Sequence, residues 1–209
     1  NITHLVKTPK INRELPHYLS LREAKEILRL PTGNNEKALR DRLILELFYA
    51  TGIRISELIN IKMNDIRIEE GIIHILGKGN KERIVMIGHE SIDVLRNYLG
   101  IIKETKPGNK DYLFPALRVG KNGLKGSISI RTVFNIVKKY LRKAGLTMKA
   151  SPHTLRHSFA SHLLDAGLDL REVQLLLGHE HVSSTQIYKH LSRRHMKEVY
   201  QLAHPRSCL

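Results

Sequence analysis

Apolar residues recur at helical spacing over most of this chain, and they alternate with polar residues only between Ile66 and Ile87. Helices repeat every three to four residues, whereas a half-buried strand alternates every second residue. The pattern therefore predicts a mainly α fold with one small three-stranded antiparallel sheet. A glycine-rich hairpin turn joins the last two of the predicted strands, which cover Ile66 to Ile68, Ile72 to Leu76 and Arg83 to Ile87.

Capping signals delimit the predicted helices. Ser20 and Glu23 form a capping box at the first helix, and Gly52 is a stop signal for the second. Residues 1–19 contain two prolines and no clear period, so we expect a linker or arm there. The predicted helices cover about 20–30, 36–51, 55–61, 90–103, 130–144, 153–166, 169–177, 184–192 and 195–203.

The charge balance favours a polyanionic partner. Lys and Arg number 35 against 20 Asp and Glu, and the pI is about 10. With 41% hydrophobic residues the chain is no disordered polycation, so nucleic acid is the first candidate partner. Ribosome association or plain solubility is the alternative, and charge does not separate DNA from RNA.

Cys208 is the only cysteine, which excludes an internal disulfide and a zinc ribbon and suits a reducing cytoplasm. No apolar run approaches the roughly 20 residues of a membrane span, so no membrane partner is predicted. The chain opens at Asn1 without an initiator methionine, and we expect it to be a fragment of a longer protein.

Nucleotide and metal motifs are missing from the sequence. It contains no P-loop, no glycine-rich dinucleotide fingerprint and no Cys/His zinc spacing. His179-Glu180-His181 is the one candidate metal group, but its spacing fits no helical ligand pair. We therefore predict neither a metal nor a cofactor.

Arg54 stands where one apolar helix stops and the next begins. A helix start offers free backbone N–H groups and positive potential, so an arginine there would strengthen an anion site. The alternative is a structural ion pair with Glu57.

His153 and Arg156 lie three residues apart in the first turn of a predicted helix and so share a face. Two cationic groups near a helix N-terminus oppose the helix dipole unless an anion such as phosphate compensates. An ordinary surface His and Arg is the alternative. The same helix is predicted to bury Phe159, Ala160, Leu163 and Leu164.

Three further side chains are candidates only in combination. Lys78 lies at a hairpin tip between two glycines, and His179 follows a predicted helix end. Tyr188 comes nine residues after His179 in a basic stretch. Alone, each of these signals is weak.

In their order along the chain, these motifs resemble the tyrosine recombinase (phage integrase) family. The resemblance runs from about residue 15 to the end, and the hairpin and the closing His204-Pro205-Arg206 look like the Xer branch, nearest the XerD type. The motifs are Gly52-Ile53-Arg54-Ile55-Ser56-Glu57, Gly77-Lys78-Gly79-Asn80-Lys81-Glu82-Arg83, His153-Thr154-Leu155-Arg156-His157, Leu177-Gly178-His179 and Tyr188.

The resemblance implies that Arg54 and Arg156 bind the non-bridging oxygens of a scissile phosphate, with Glu57 supporting the site. Attack on a phosphodiester adds negative charge to the equatorial oxygens, and two planar guanidinium groups can meet that charge bidentately. No metal is then required.

By the same resemblance, Tyr188 would be the nucleophile and Lys78 would protonate the leaving 5′-oxygen, while His153 and His179 would assist. An alkoxide is a poor leaving group, so it needs a proton donor. A phosphotyrosine link conserves the energy of the broken bond, which agrees with the missing nucleotide motif.

The implied architecture is the mostly helical catalytic domain, expected over residues 20–209, with residues 1–19 the remnant of an interdomain linker. The N-terminal core-binding domain of this family would be absent. Residues 195–209 could dock on a neighbouring protomer, with Leu202 and Ala203 as contacts, although an ordinary terminal helix packing on its own chain is the alternative.

The implied partner is a duplex DNA recombination site with two half-sites, bound by a homo- or hetero-tetramer. A Xer-type protein would resolve chromosome dimers before cell division, with a septal DNA translocase and sometimes a sister recombinase. Three other readings stay open: an integrase of a phage, plasmid or transposon, a type IB topoisomerase, and a non-catalytic DNA-binding module.

Overall fold

The computed structural model describes residues 18–77, 82–105, 111–116, 126–146, 150–178, 200 and 203–206. The predicted mainly α fold with a small antiparallel sheet is confirmed. Within these ranges the elements are α1 (Leu21–Arg29), α2 (Glu36–Thr51), α3 (Ile55–Leu58), a 3-10 turn (Met63–Asp65), β1 (Ile66–Arg67), β2 (Ile72–Leu76), β3 (Glu82–Met86), α4 (His89–Thr105), α5 (Ile130–Lys143), α6 (Pro152–Asp165) and α7 (Leu170–Leu177).

The predicted third helix is too long. It ends at Leu58 rather than at residue 61, because Ile61 turns away to pair with the segment at residues 111–115, where its carbonyl accepts from the N–H of Leu113. The predicted helix at 184–192 lies outside the described residues. Of the predicted helix at 195–203, only Tyr200 and Ala203 are described.

Helix α2 is the centre of the fold. It is buried on all sides and packs against α1, α4, α5 and α6. Asn35 caps its start through the N–H of Ala38, and Gly52 closes it with a φ of 57°. A long helix held on every side fixes the position of its last residue, which matters because the candidate site lies at that end.

The sheet has the order β1-β2-β3 with antiparallel neighbours. Ile73 pairs with Val85 and Ile75 pairs with Arg83. The apolar side chains of these pairs face the main core, as period-two alternation requires. The core therefore holds β2 and β3 in place on either side of residues 78–81.

The buried stripe predicted for α6 is partly wrong. Phe159 and Leu163 are buried, but Leu164 is 40% exposed. Ser158 and His162 are buried in its place. Polar side chains enter a core when partners satisfy them, and here the partners come from the start of the described chain.

The backbone of Leu19 is held by two side chains of α6. Its N–H donates to Oγ of Ser158 at 2.8 Å, and its carbonyl accepts from Nε2 of His162 at 2.7 Å. Since Nε2 carries the proton, Nδ1 of His162 accepts from the Tyr49 hydroxyl at 2.9 Å. The Leu19 backbone, the His162 ring and the Tyr49 hydroxyl thus all have hydrogen-bond partners while His162 stays neutral.

The C-terminal segment docks on its own chain at the same place. Nε2 of His204 donates to the carbonyl of Tyr49 at 3.2 Å, and Nδ1 accepts the N–H of Arg206 at 3.1 Å. The His204 ring stacks on Tyr200, with centroids 5.0 Å apart. Arg206 forms a buried ion pair with Glu46 at 2.7 Å.

Burial lowers the pKa of His204 to about 3. The unfolded chain takes up that proton below pH ~6.5, so the stability that neutral His204 supplies is complete above ~6.5 and is lost as pH falls toward its folded pKa. Burial also lowers the pKa of His162, which acts in the same direction.

We predict that lowering the pH from about 7.5 to 5 removes about 2 kcal/mol of unfolding free energy through His204 alone. Urea unfolding at both pH values should show this loss in the native chain and a smaller loss in His204→Gln. The exposed His157→Gln is the matched control and should keep the full loss. Equal pH dependence in all three proteins would contradict the assignment.

Candidate active site

Arg156 points from α6 toward the ends of two other helices. It donates to the carbonyl of Gly52, which closes α2, and at 2.9 Å to the carbonyl of Leu177, the last residue of α7. Helix C-terminal carbonyls carry partial negative charge, so they stabilise a cation. Arg156 therefore lies beside the residues around Gly52, at the point where α2 and α7 end.

Gly52 allows this approach because it has no side chain. A Cβ there would lie 2.6 Å from Cδ1 of Phe159 and 2.7 Å from Cδ2 of Leu177, both inside van der Waals contact. The residue also has a positive φ that other residues rarely adopt. Only glycine lets α6 and α7 meet the end of α2 at this distance.

Arg54 is the N-cap residue of α3, and its side chain reaches the end of α7. Its Nη2 donates to the carbonyl of Gly178 at 3.4 Å, and its Nη1 bonds Oε1 of Glu57 at 3.0 Å. The backbone N–H of Arg54 donates to Oε2 of Glu57 at 2.9 Å. The ion pair with Glu57 exists, yet the Arg54 side chain remains 41% exposed and can reach an anion in solution.

Arg83 is a member of the cluster that the sequence reasoning missed. It bonds both oxygens of Glu57, at 2.6 and 2.9 Å, and is only 14% exposed. A signal was present in the sequence: period-two alternation puts Arg83 on the face of Val85 and Ile87, both buried. A cation in register with core residues indicates a buried partner.

The pKa values follow from this crowding. Burial raises the pKa of Glu57, but the hydrogen bonds and charge of Arg83 and the bonds from Arg54 outweigh burial and hold it below its ordinary value. Burial, reinforced by the charges of Arg54 and Arg83, lowers the pKa of Arg156 to about 10 despite the opposing charge of Glu57. Glu57 and Arg156 are therefore both ionised at neutral pH.

The cluster thus carries an excess of positive charge. The cluster contains three guanidinium groups and one carboxylate, which bonds two of them, and the remaining partners named above are neutral carbonyls. Like charges this close repel one another, so an anion bound between them would be strongly favoured. The arrangement suits a phosphate, which guanidinium groups match in geometry.

Of the other predicted site residues, only His153 lies within the described ranges. His153 lies one turn before Arg156 on α6 and is exposed. Lys78, His179 and Tyr188 lie outside the described residues. Their described neighbours are Gly77 and Glu82 at the hairpin base, and Gly178 at the end of α7.

Within the described part of the chain, no group of three or more His, Cys, Asp or Glu side chains could hold a metal ion. Across the same part, no helix combines the length and the apolar character that a bilayer crossing needs.

Comparison of the sequence with known proteins finds relatives that all belong to one family. The sequence pattern of the Phage integrase family matches residues 17–195. Tyrosine recombinase XerC of Thermodesulfovibrio yellowstonii is 42% identical over 99% of this chain and 68% of its own length. Tyrosine recombinase XerD of Shewanella oneidensis is 40% identical over 96% of this chain and 66% of its own length.

Solved structures show the same fold. A crystal structure of XerA recombinase superposes with a TM-score of 0.70 at 34% identity, covering 93% of this chain and 66% of that one. XerH recombinase, in a post-cleavage complex with a palindromic difH substrate, gives 0.69 at 29% identity, covering 91% of this chain and 54% of that one.

The chain thus spans about two thirds of the length of its XerC and XerD relatives, and 54 to 66% of the XerH and XerA structures. The relatives carry both Xer names at nearly equal identity, so the Xer resemblance is confirmed without a preference for the XerD type. On its family pattern, its relatives and its fold, the chain belongs to the phage integrase family of site-specific tyrosine recombinases.

Proposed function

We propose that this chain cleaves and rejoins duplex DNA through a covalent bond between a 3′-phosphate and Tyr188. The observation that carries the proposal is the convergence of Arg54 and Arg156 on the ends of α2 and α7, with an uncompensated positive charge. The pair would bind the non-bridging oxygens of the scissile phosphate. Their charge would be most effective when the phosphorus is five-coordinate and its oxygens are most negative.

The remaining steps are assigned to residues by family likeness. The Tyr188 phenol attacks phosphorus and loses its proton, while the bond to the 5′-oxygen breaks and Lys78 supplies a proton to that oxygen. His153 and His179 assist proton transfer. A 5′-hydroxyl of the same or another strand then attacks the phosphotyrosine and gives up its proton, while the bond between phosphorus and the Tyr188 oxygen breaks and the phenol regains a proton. One diester bond forms for each one broken, so no ATP is needed.

The cellular role that we propose is Xer-type chromosome dimer resolution in the cytoplasm, before cell division. The XerC and XerD names of the relatives support it, as does the XerH complex with a DNA substrate. Such a role needs a recombination site with two half-sites, a tetramer of this chain or of this chain with a sister recombinase, and a septal DNA translocase.

We predict that the chain forms a covalent adduct with a nicked suicide duplex carrying a site selected from random DNA by binding. Tyr188→Phe should abolish the adduct, because no phenol remains to attack. Arg54→Ala or Arg156→Ala should each slow its formation by about 10²- to 10³-fold, the usual effect of removing one group that stabilises a developing oxyanion. Denaturing gels with labelled DNA measure all three.

Arg22→Ala is the matched control, since Arg22 is an exposed arginine of α1. It should form adduct at close to the native rate. DNA binding without any adduct would favour a non-catalytic module, and relaxation of supercoiled DNA without exchange between two sites would favour a topoisomerase.

The C-terminal segment gives a test of assembly. Ala203 is 7% exposed and packs on its own chain, as do Tyr200 and His204, so the described residues show the intrachain arrangement. We propose that residues 195–209 exchange between protomers on DNA, with Leu202 and Ala203 as contacts.

Deleting residues 195–209 should therefore abolish tetramers on paired sites, because the exchanged contacts are lost, while binding to one half-site persists. Sedimentation of the protein–DNA complexes measures both, and circular dichroism verifies the fold. Tetramers of the shortened chain would contradict the exchange.

A further inference from the structure

Arg83 contacts Glu57 and Gly178, the two residues that also bind the Arg54 side chain. It is the second residue of β3, just after residues 78–81, which lie outside the described ranges, and it pairs with Ile75 in the sheet. Its guanidinium bonds both oxygens of Glu57. Its side chain is only 14% exposed, so it is poorly placed to contact DNA itself.

The Glu57 carboxylate is fully occupied by two arginines. Oε1 receives Nη1 of Arg83 at 2.6 Å and Nη1 of Arg54 at 3.0 Å, and Oε2 receives Nη2 of Arg83 at 2.9 Å and the Arg54 N–H at 2.9 Å. Because Arg83 holds both oxygens, it fixes the plane of the carboxylate. That plane sets the direction in which Arg54 is held.

Arg83 also lies against the end of α7. A Cβ on Gly178 would lie 2.7 Å from Cδ of Arg83 and 3.1 Å from its Nε, so the two residues are in direct contact. The carbonyl of Gly178 accepts Arg54, and His179 follows it in the sequence. One side chain thus connects the base of the hairpin, α3 and the end of α7.

We propose that Arg83 is a positioning residue for DNA cleavage, which orients Arg54 through Glu57 and sets the distance between the hairpin base and Gly178. This inference rests on the proposed function. A lysine could supply the charge of Arg83 but could not bond both carboxylate oxygens in one plane. The geometry of the arginine, and not its charge alone, is what the site uses.

The test compares native protein with Arg83→Lys on the nicked suicide duplex, under single-turnover conditions. Adduct formation should slow by about 10- to 100-fold, the effect of misplacing a reacting group by about 1 Å. The dissociation constant for the same duplex should change by less than about threefold, because Arg83 binds Glu57 and not DNA. Arg96→Lys is the matched control, an exposed arginine with its own glutamate partner, and should cleave at the native rate.

A double-mutant cycle separates positioning from a general loss of structure. In an Arg54→Ala background, Arg83→Lys should slow adduct formation clearly less than it does in the native chain, because the part of its effect that acts through Arg54 is already gone. A merely structural role would give the full slowing in both backgrounds.

Gly178→Ala provides a second variant if Arg83→Lys melts below the assay temperature. The added Cβ presses on Arg83 from the other side without removing a charge, and should slow adduct formation at an unchanged dissociation constant. If the variant that stays folded, Arg83→Lys or Gly178→Ala, forms adduct at the native rate, the inference about Arg83 is overturned and the proposed function stays intact. A native chain that forms no adduct would overturn both.

Discussion

The structure depends on how three guanidinium groups are held close together. Arg54, Arg83 and Arg156 would repel one another in an apolar setting, and the fold offsets that repulsion in two ways. Glu57 supplies a carboxylate shared by Arg54 and Arg83. The carbonyl ends of α2 and α7 supply partial negative charge to Arg54 and Arg156. Neither device cancels the excess positive charge, which therefore favours the binding of an anion at the cluster.

Left-handed glycines make the second device possible. Gly52 and Gly178 end α2 and α7 with φ values of 57° and 66°, so that their carbonyls turn toward the cations instead of continuing a helix. Each also lies where a Cβ would collide with a neighbour. Each glycine therefore ends its helix, leaves room for the neighbouring side chain and leaves its carbonyl free to accept an arginine. A small backbone change at either glycine would disturb both the packing and the hydrogen bond to the arginine.

Local patterns predicted most of the described elements, because capping and periodicity are properties of short segments. The box at Ser20 and Glu23 and the stop at Gly52 are where the structure has them. Local patterns could not predict which distant segments would come into contact. Arg83 was predicted only as a strand residue, and its ion pair with Glu57 is seen only in the structure. Leu164 was expected to be buried on α6, but it is exposed, and His162 is buried. Buried polar groups follow their partners, and partners depend on tertiary structure.

Helix α6 connects the site to both described ends of the chain. Arg156 reaches the cluster from its second turn, while Ser158 and His162 hold the backbone of Leu19. Phe159, between them in sequence, lies against Gly52 and faces the His204 ring with centroids 5.3 Å apart. A shift of the C-terminal segment would therefore bear on the residue that sets the distance between α6 and the acceptor of Arg156. Because a closely packed core has little free volume, Phe159 cannot move away from His204 without altering its contact with Gly52.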